Sequence, residues 1–398
     1  MNERAAQSNY GHASRRDFLK SSSAAVVGGA LLSGLSIGRS VHAAGSDTLK
    51  VGLIGCGGRG SGAAAQALNA DPNTVLWSMG DAFEDRLTSS LKNLSADGGI
   101  VKRIDVAKER QFVGFDAYKQ VIDSGVDVVL LTTSPHFRPA HLKAAIEANK
   151  HVFCEKPVAV DAPGVRSVLE STEEAKKRGL AVVSGLCYRY DPPKRDVIGR
   201  IHDGAVGDVI AMQVNYNTGT LWHHGRKPEW SDMEYQMRNW LYFTWLSGDF
   251  NVEQHVHSLD KAAWVMHDVP PIKATGLGGR QVRTEEQWGN IFDHMAVMYE
   301  YENGVRLYSY CRQMAGCASD TSDHILGTKG KAELMRGEIE AGADKYRYRG
   351  PKPNMYDVEH QELFASIRAG QPINNGLYMA RSTMMGSWGA WSATQARR

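Results

Sequence analysis

Two stretches of this chain hold acids, bases and cations at spacings that suit proton chemistry. In CEKPVAVD, residues 154–161, a glutamate and a lysine stand side by side against a proline. Proline fixes its own φ and restricts the residue before it, so Pro157 holds Lys156 in one orientation; the Lys156–Pro157 bond is open to the cis or the trans form. At the mouth of a strand such a lysine could touch a substrate hydroxyl, whereas on a plain surface it would be half of a salt bridge. In GDFNVEQHVHSLDKAAWVM, residues 248–266, Glu253 and His257 stand four apart. On one helix they share a face, with Asp249 a turn earlier and His255 pointing elsewhere. A carboxylate beside an imidazole orients the ring and raises its basicity, which suits a base that takes a hydroxyl proton near neutral pH. The plainer alternative for His257 is a hydrogen-bonded core histidine.

A third stretch suits anion binding. TLKVGLIGCGGRGSGAAAQAL, from Thr48, reads as a short strand, a glycine-rich turn and an alanine-rich helix. Gly55 permits the tight turn, Gly57 lets backbone approach a pyrophosphate, and Gly60 lets helix and strand pack closely; Gly58 and Arg59 complete the loop. Asp81, about twenty residues beyond Gly60, ends a second strand and can accept from a ribose hydroxyl. An acid there repels a 2′-phosphate and favours NAD, while Arg59 beside the loop keeps NADP open.

Further candidates cluster near the same edge. Thr133, Ser134, Pro135 and His136 follow the strand-like run VDVVLL, and Glu155 adjoins Lys156; all join the candidate cofactor set. Tyr188 and Arg189 in YRYDP follow another strand and are candidate substrate contacts, with interdomain packing as the alternative. Trp240 and Trp245 in RNWLYFTWLSGD suit stacking on a sugar face, although the segment reads chiefly as core and interface. His223 and His224 in WHHGR could pool metal ligands with HVH at 255–257, but neither spacing is diagnostic of zinc, and no metal is expected. The five cysteines show no CxxC spacing, so they read as buried thiols, with a Cys311–Cys317 bridge as the alternative in an oxidising compartment.

The elements that must position these residues alternate. Strand and helix patterns through AVVSGLCYRYDP define an α/β Rossmann domain, a doubly wound parallel sheet over residues 45–190 with its ligand edge at the strands' carboxyl ends. Residues 191–375 hold β-type runs with few helices and a hairpin signal at Asn303-Gly304, which predicts an α+β domain with a large, open, mostly antiparallel sheet that carries the second partner of the active site. Residues 376–398 have helical spacing and are expected to pack back on the first domain.

The composition is that of an ordinary globular protein: 398 residues, 42% hydrophobic, 23% charged and a formal net charge of +2, which points to no nucleic-acid partner. Residues 1–44 read as a twin-arginine export signal: Arg15-Arg16, an Ala/Gly/Leu-rich run too short and Gly/Ser-rich to span a membrane, then small residues suited to cleavage near Ala43 or Ala44. The expected location is the periplasm or another exported site, with no stable membrane span after cleavage. This pathway carries folded proteins, often with a cofactor loaded.

VGLIGCGGRG, TTSPHFRPAHLKAAIEANKHVFCEKP and WLSGDFNVEQHVHSLDKAAWVM together resemble the glucose-fructose oxidoreductase / inositol dehydrogenase / rhizopine catabolism (Gfo/Idh/MocA) family over nearly all of the chain beyond the signal. The resemblance implies that Lys156 lies at the catalytic centre, that His257 matches the family histidine, and that the sheet domain drives assembly into a homo-oligomer, dimer or tetramer. Glu253 stands where the family usually has aspartate, which leaves the proton relay open. The implied activity is hydride transfer between a sugar or polyol hydroxyl and a nicotinamide cofactor, NAD or NADP, with His257 as base, Lys156 polarising the oxygen and Glu253 orienting His257. Away from the cytoplasmic cofactor pool the cofactor must be held tightly and regenerated in the site. The implied alternative is NAD-dependent glycoside cleavage through transient C3 oxidation and elimination. The alternative of another class is a noncatalytic sugar- or cofactor-binding protein.

Overall fold

Strands of the first sheet are apolar on both faces, as a sheet covered by helices on both sides requires. In the computed structural model, which describes residues 48–395, they are β1 (Leu49–Ile54), β2 (Thr74–Asp81), β3 (Gln111–Val113), β4 (Val128–Leu131), β5 (His151–Cys154) and β6 (Val182–Ser184), all parallel in the order β3-β2-β1-β4-β5-β6. Every residue of β4 is buried. The first crossover helix, Gly58–Ala70, turns Ala63, Ala64, Ala67 and Leu68 to the sheet, and these small side chains let it lie close. The twin-arginine segment read at residues 1–44 lies outside the described residues.

The second sheet has eight strands: β7 (Val209–Thr218), β8 (Lys273–Gly279), β9 (His294–Glu300), β10 (Arg306–Gln313), β11 (Asp320–Gly327), β12 (Lys331–Glu333), β13 (Glu338–Ala341) and β14 (Asp344–Arg347). Their order is β14-β13-β12-β11-β7-β10-β9-β8, antiparallel except for the parallel pair β7 and β10. Burial alternates along β10, so one face packs on helix Val256–Val265 through residues such as Leu259 and Ala262, while Leu277, Tyr310 and Leu326 stand exposed on the other. This is the expected Rossmann domain with its mostly antiparallel partner. Asn303-Gly304 forms the turn between β9 and β10.

Helix Gly376–Gln395 packs against both parts, meeting helix Ala162–Lys177 of the first and β8 of the second. Just before it, the chain closes the free edge of β6: Val182 N donates to Ile373 O at 2.8 Å, Asn375 N donates to Val182 O at 2.9 Å, and Ser184 N donates to Asn375 Oδ1 at 3.0 Å. All five cysteines are free; Cys311 is buried in β10 and Cys317 is exposed, so the alternative bridge between them does not form. No helix of the described residues is long and apolar enough to cross a membrane.

Candidate active site

The glycine-rich loop has the three roles its spacing demands. Gly55 sits at φ +98°, where a Cβ would lie 2.6 Å from Thr133 N. A Cβ on Gly60 would lie 1.9 Å from Gly55 O, whereas one on Gly57 or Gly58 would meet nothing within 4 Å. The loop is therefore tight on its sheet side and open at the helix start, where Gly57 offers no side-chain cap to the first N–H groups. That open cradle fits a dinucleotide's pyrophosphate. It borders a cavity of about 470 Å³ lined also by Asp81, Thr133 and Ser134. Asp81 Oδ2 accepts from Cys56 N at 2.6 Å and Oδ1 from Phe83 N at 2.9 Å, which fixes the carboxylate at the cavity wall; burial raises its pKa and these N–H groups oppose the rise.

Two expected cofactor residues stand apart from that wall. Pro135 is buried in the turn after Ser134, and His136 lies edge-on to Trp245 at 5.1 Å. Arg59 lines the cavity, yet its guanidinium is engaged: it bonds Glu155, donates to Glu359 Oε1 at 3.0 Å and Gln66 Oε1 at 2.6 Å, and lies over the Tyr356 ring.

At the end of β5 the adjacent Glu155 and Lys156 do not pair through their side chains. Glu155 is buried, takes Arg59, and accepts from Lys156 N at 3.0 Å. Burial raises its pKa, but Arg59, Arg138 and Lys156 prevail and lower it. Gly185 makes room for this carboxylate, since a Cβ there would lie 2.6 Å from Oε2. The Lys156–Pro157 bond is cis, and buried Arg138 donates to Pro157 O and to Thr133 O. Lys156 Nζ points the other way, donating to Glu253 O at 2.6 Å and Glu253 Oε1 at 2.9 Å.

These contacts correct the expectation that Glu253 orients His257. The chain makes two helical pieces, Phe250–Glu253 and Val256–Val265, so the four-residue spacing does not run along one helix. Asp249 instead caps the first piece, accepting from Phe250 N at 2.6 Å and Phe292 N at 3.1 Å, and burial pushes its pKa up to about 7. His255 turns to Ser309 Oγ at 2.7 Å. His257 is half-buried, its Nδ1 has no partner, and the Tyr188 ring meets it edge-on at 5.4 Å. Burial, then the charges of Lys156, Lys261 and Arg59, hold its pKa well below the ordinary value, the opposite of the raised basicity expected.

The site gains residues the sequence did not reveal. Lys261, fully buried, pairs with Asp323 at 2.5 Å and sits 4.1 Å from the centre of the Tyr188 ring. Two expected substrate residues lie elsewhere. Arg189 is enclosed by Asp260 and Asp268 with the Tyr378 ring at 4.1 Å. Trp240 lines the dinucleotide cavity together with Trp222, His224 and Arg238. His223 meets Tyr235 and Gln287 while His224 meets Arg86, so the two do not converge, and among the described residues no group of three His, Cys, Asp or Glu could hold a metal.

Residues 49–184 match the oxidoreductase family with an NAD-binding Rossmann fold, GFO_IDH_MocA, and residues 195–333 match the GFO/IDH/MocA C-terminal domain. The chain belongs to the Gfo/Idh/MocA family. This family membership makes it an NAD-dependent oxidoreductase. Among similar proteins, inositol 2-dehydrogenase of Salmonella typhimurium is 24% identical over 335 residues, covering 82% of this chain and 88% of the relative. The 2,7-anhydro-N-acetylneuraminate hydratase of Escherichia coli (strain K12) is 22% identical over 271 residues, covering 67% and 66%. A crystal structure of aldose-aldose oxidoreductase from Caulobacter crescentus, complexed with glycerol, superposes with a TM-score of 0.68 at 17% identity, covering 88% of this chain and 98% of that one. That likeness shows the shared Gfo/Idh/MocA fold.

Proposed function

We propose that this protein oxidises or reduces a sugar or polyol hydroxyl at a centre formed by Lys156 and His257. Bound NAD would supply the hydride acceptor or donor. Gly55, Gly57, Gly58, Gly60 and Asp81 would hold it, with Thr133 and Ser134 at the same edge. The observation that carries the reading is a lysine fixed at the end of β5 beside a histidine whose pKa is depressed. Nζ has three protons and two are taken by Glu253, so one is free for a substrate oxygen. A neutral imidazole can receive the hydroxyl proton, and the Tyr188 ring packed edge-on against it steadies its plane. Glu253 thus acts on Lys156, holding it in place until substrate arrives. Engagement of Arg59 by two carboxylates takes that cation away from a 2′-phosphate, and the Asp81 charge opposes one, which favours NAD over NADP.

The relatives' names, an inositol dehydrogenase and an aldose-aldose oxidoreductase, support the polyol and sugar class. The second name also supports regeneration of the cofactor by a second sugar, which suits an exported enzyme directed by Arg15-Arg16. A second reading, transient oxidation with elimination and no net redox change, draws support from the relative named as a hydratase. Assembly of two or more copies through the outer face carrying Leu277, Tyr310 and Leu326 belongs to the same proposal, checked by light scattering.

The test is mass spectrometry and absorbance of protein purified from the exported fraction, followed by kinetics. Stoichiometric NAD(H) is expected. Lys156→Ala and His257→Ala should each keep the cofactor and lose about a hundredfold or more in turnover, with the double variant little worse. Full activity in both variants would place the centre elsewhere. Cleavage or elimination products with no oxidised or reduced sugar among them select the second reading.

A further inference from the structure

The cavity beside the glycine loop has walls from both parts of the chain. Gly55 to Gly60, Asp81, Phe83 and Arg86 form the Rossmann wall. Opposite stand Trp222, His224, Met237, Arg238 and Trp240, from the excursion that follows β7. Two polar contacts join the walls, both on the helix that begins just past Asp81. Arg238 donates to both oxygens of Asp85 at 2.9 and 3.0 Å, with its guanidinium 4.1 Å from the Phe83 ring centre. Arg86 meets His224 Nε2 at 3.1 Å, and burial followed by the nearby Arg86 charge lowers the His224 pKa, so the ring is neutral and can accept. Behind these, Trp222 leans on Trp240 with ring centres 5.9 Å apart, and Trp222 is 42% exposed although it lines the cavity. A large aromatic left uncovered at a concave wall has apolar and stacking surface to give to a ligand.

We propose that segment 222–240 is a clasp that encloses the dinucleotide at its Asp81 end, with Trp222 and Trp240 as binding surface and the Asp85–Arg238 and Arg86–His224 contacts as its latch. The inference rests on the dinucleotide reading above and assigns these residues to cofactor retention, where the sequence pointed Trp240 at a sugar. Asp81 marks the end that takes the ribose hydroxyls, and the latch residues follow it at positions 85 and 86, so the clasp lies over the adenosine half. A clasp of this kind slows entry and exit together, because the latch must open for both. It therefore changes rates more than affinity.

The probe is NADH, read by its fluorescence during a stopped-flow chase with excess NAD, using the full chain stripped of cofactor and reloaded. Asp85 is 61% exposed, so Asp85→Ala breaks the latch with little risk to folding. It should raise the dissociation rate about three- to tenfold and the association rate in the same direction, with a smaller change in Kd. Trp222→Ala, also at an exposed residue, should raise dissociation about tenfold or more and shorten retention on a desalting column. If both variants release NADH at the parent rate while Asp81→Ala weakens binding, the clasp is overturned and the dinucleotide reading stands. A parent protein that binds no NADH overturns both.

Discussion

Arg59→Met should destabilise the protein in a strongly pH-dependent way. One guanidinium serves two buried carboxylates, Glu155 with 5% and Glu359 with 0% side-chain exposure. The pair responds unequally. Burial and the Glu155 charge push Glu359 well above the ordinary value of 4.5, while Arg59, Arg138 and Lys156 draw Glu155 below it despite its burial. Glu155 is thus the more acidic member of the pair, and Glu359 is the one that keeps its proton to higher pH. Removing one partner of a buried ion pair costs about 3–5 kcal/mol. Arg59 is 33% exposed and Arg138 and Lys156 remain, so solvent screening brings the expected loss to about 2–3 kcal/mol at pH 8. The sign follows from proton linkage: a carboxylate with a depressed folded pKa contributes stability above its unfolded pKa, and that contribution disappears as pH falls through the folded value. The variant loses this contribution, and Glu155 in it titrates higher, so the deficit should be full at pH 8 and shrink as pH falls from the variant's raised Glu155 value to the parent's, which lies below 4.5. Urea unfolding at pH 8, 5 and 3.5 measures it. Glu359→Gln, which mimics the protonated acid, should cost less than about 1 kcal/mol. A deficit that is flat with pH, or a Glu359→Gln loss as large as that of Arg59→Met, would refute this division of charge.

Asp81→Ala should weaken NAD more than NADP in titration calorimetry, because the lost acceptor serves ribose hydroxyls and its charge opposes a 2′-phosphate. Gly60→Ala should cost about 2 kcal/mol or more in thermal or urea unfolding and abolish NADH binding, since its Cβ would press on the Gly55 carbonyl at 1.9 Å. His257 should stay neutral at pH 6.5 by NMR, and Lys156→Met should move its titration upward, because removing a nearby cation favours the imidazolium. A His257 signal that titrates at its ordinary value in the parent would contradict the depressed pKa.

What was legible in the sequence was local. The strand, glycine loop and helix at 49–70 follow from contiguous residues, and so does the strand that ends at Cys154 just before Glu155-Lys156. What was hidden depends on partners far along the chain. Arg59 finds Glu359 across 300 positions, and Lys156 finds Glu253 across 97, so no spacing rule could pair them. The Glu253–His257 reading failed because it assumed an unbroken helix, and FNVEQHVH has no glycine or proline to announce the break at Gln254-His255. Arg189 looked like a site residue from its strand-end position, but the buried Asp260 and Asp268 that claim it come 71 and 79 residues later. The aromatic run around Trp240 has no period that would reveal which ring faces the cavity.

The closure of β6 by residues 373–375 also sets an order of assembly. A parallel strand at a sheet margin exposes a row of unpaired amides and carbonyls, a template for another chain. Here that row is covered by a segment whose Asn375 lies 191 residues downstream of Ser184, with Tyr190 also donating to Asn375 Oδ1 at 2.7 Å. During synthesis the Rossmann sheet can form its strands early, yet its β6 margin stays sticky until the whole second sheet has been made. The nucleotide half is therefore sealed against misassociation only by material from beyond the substrate half. A chain stopped short of residue 373 would leave that seam open and would also lack Met379 and Ala380, which pack in the core of the same sheet.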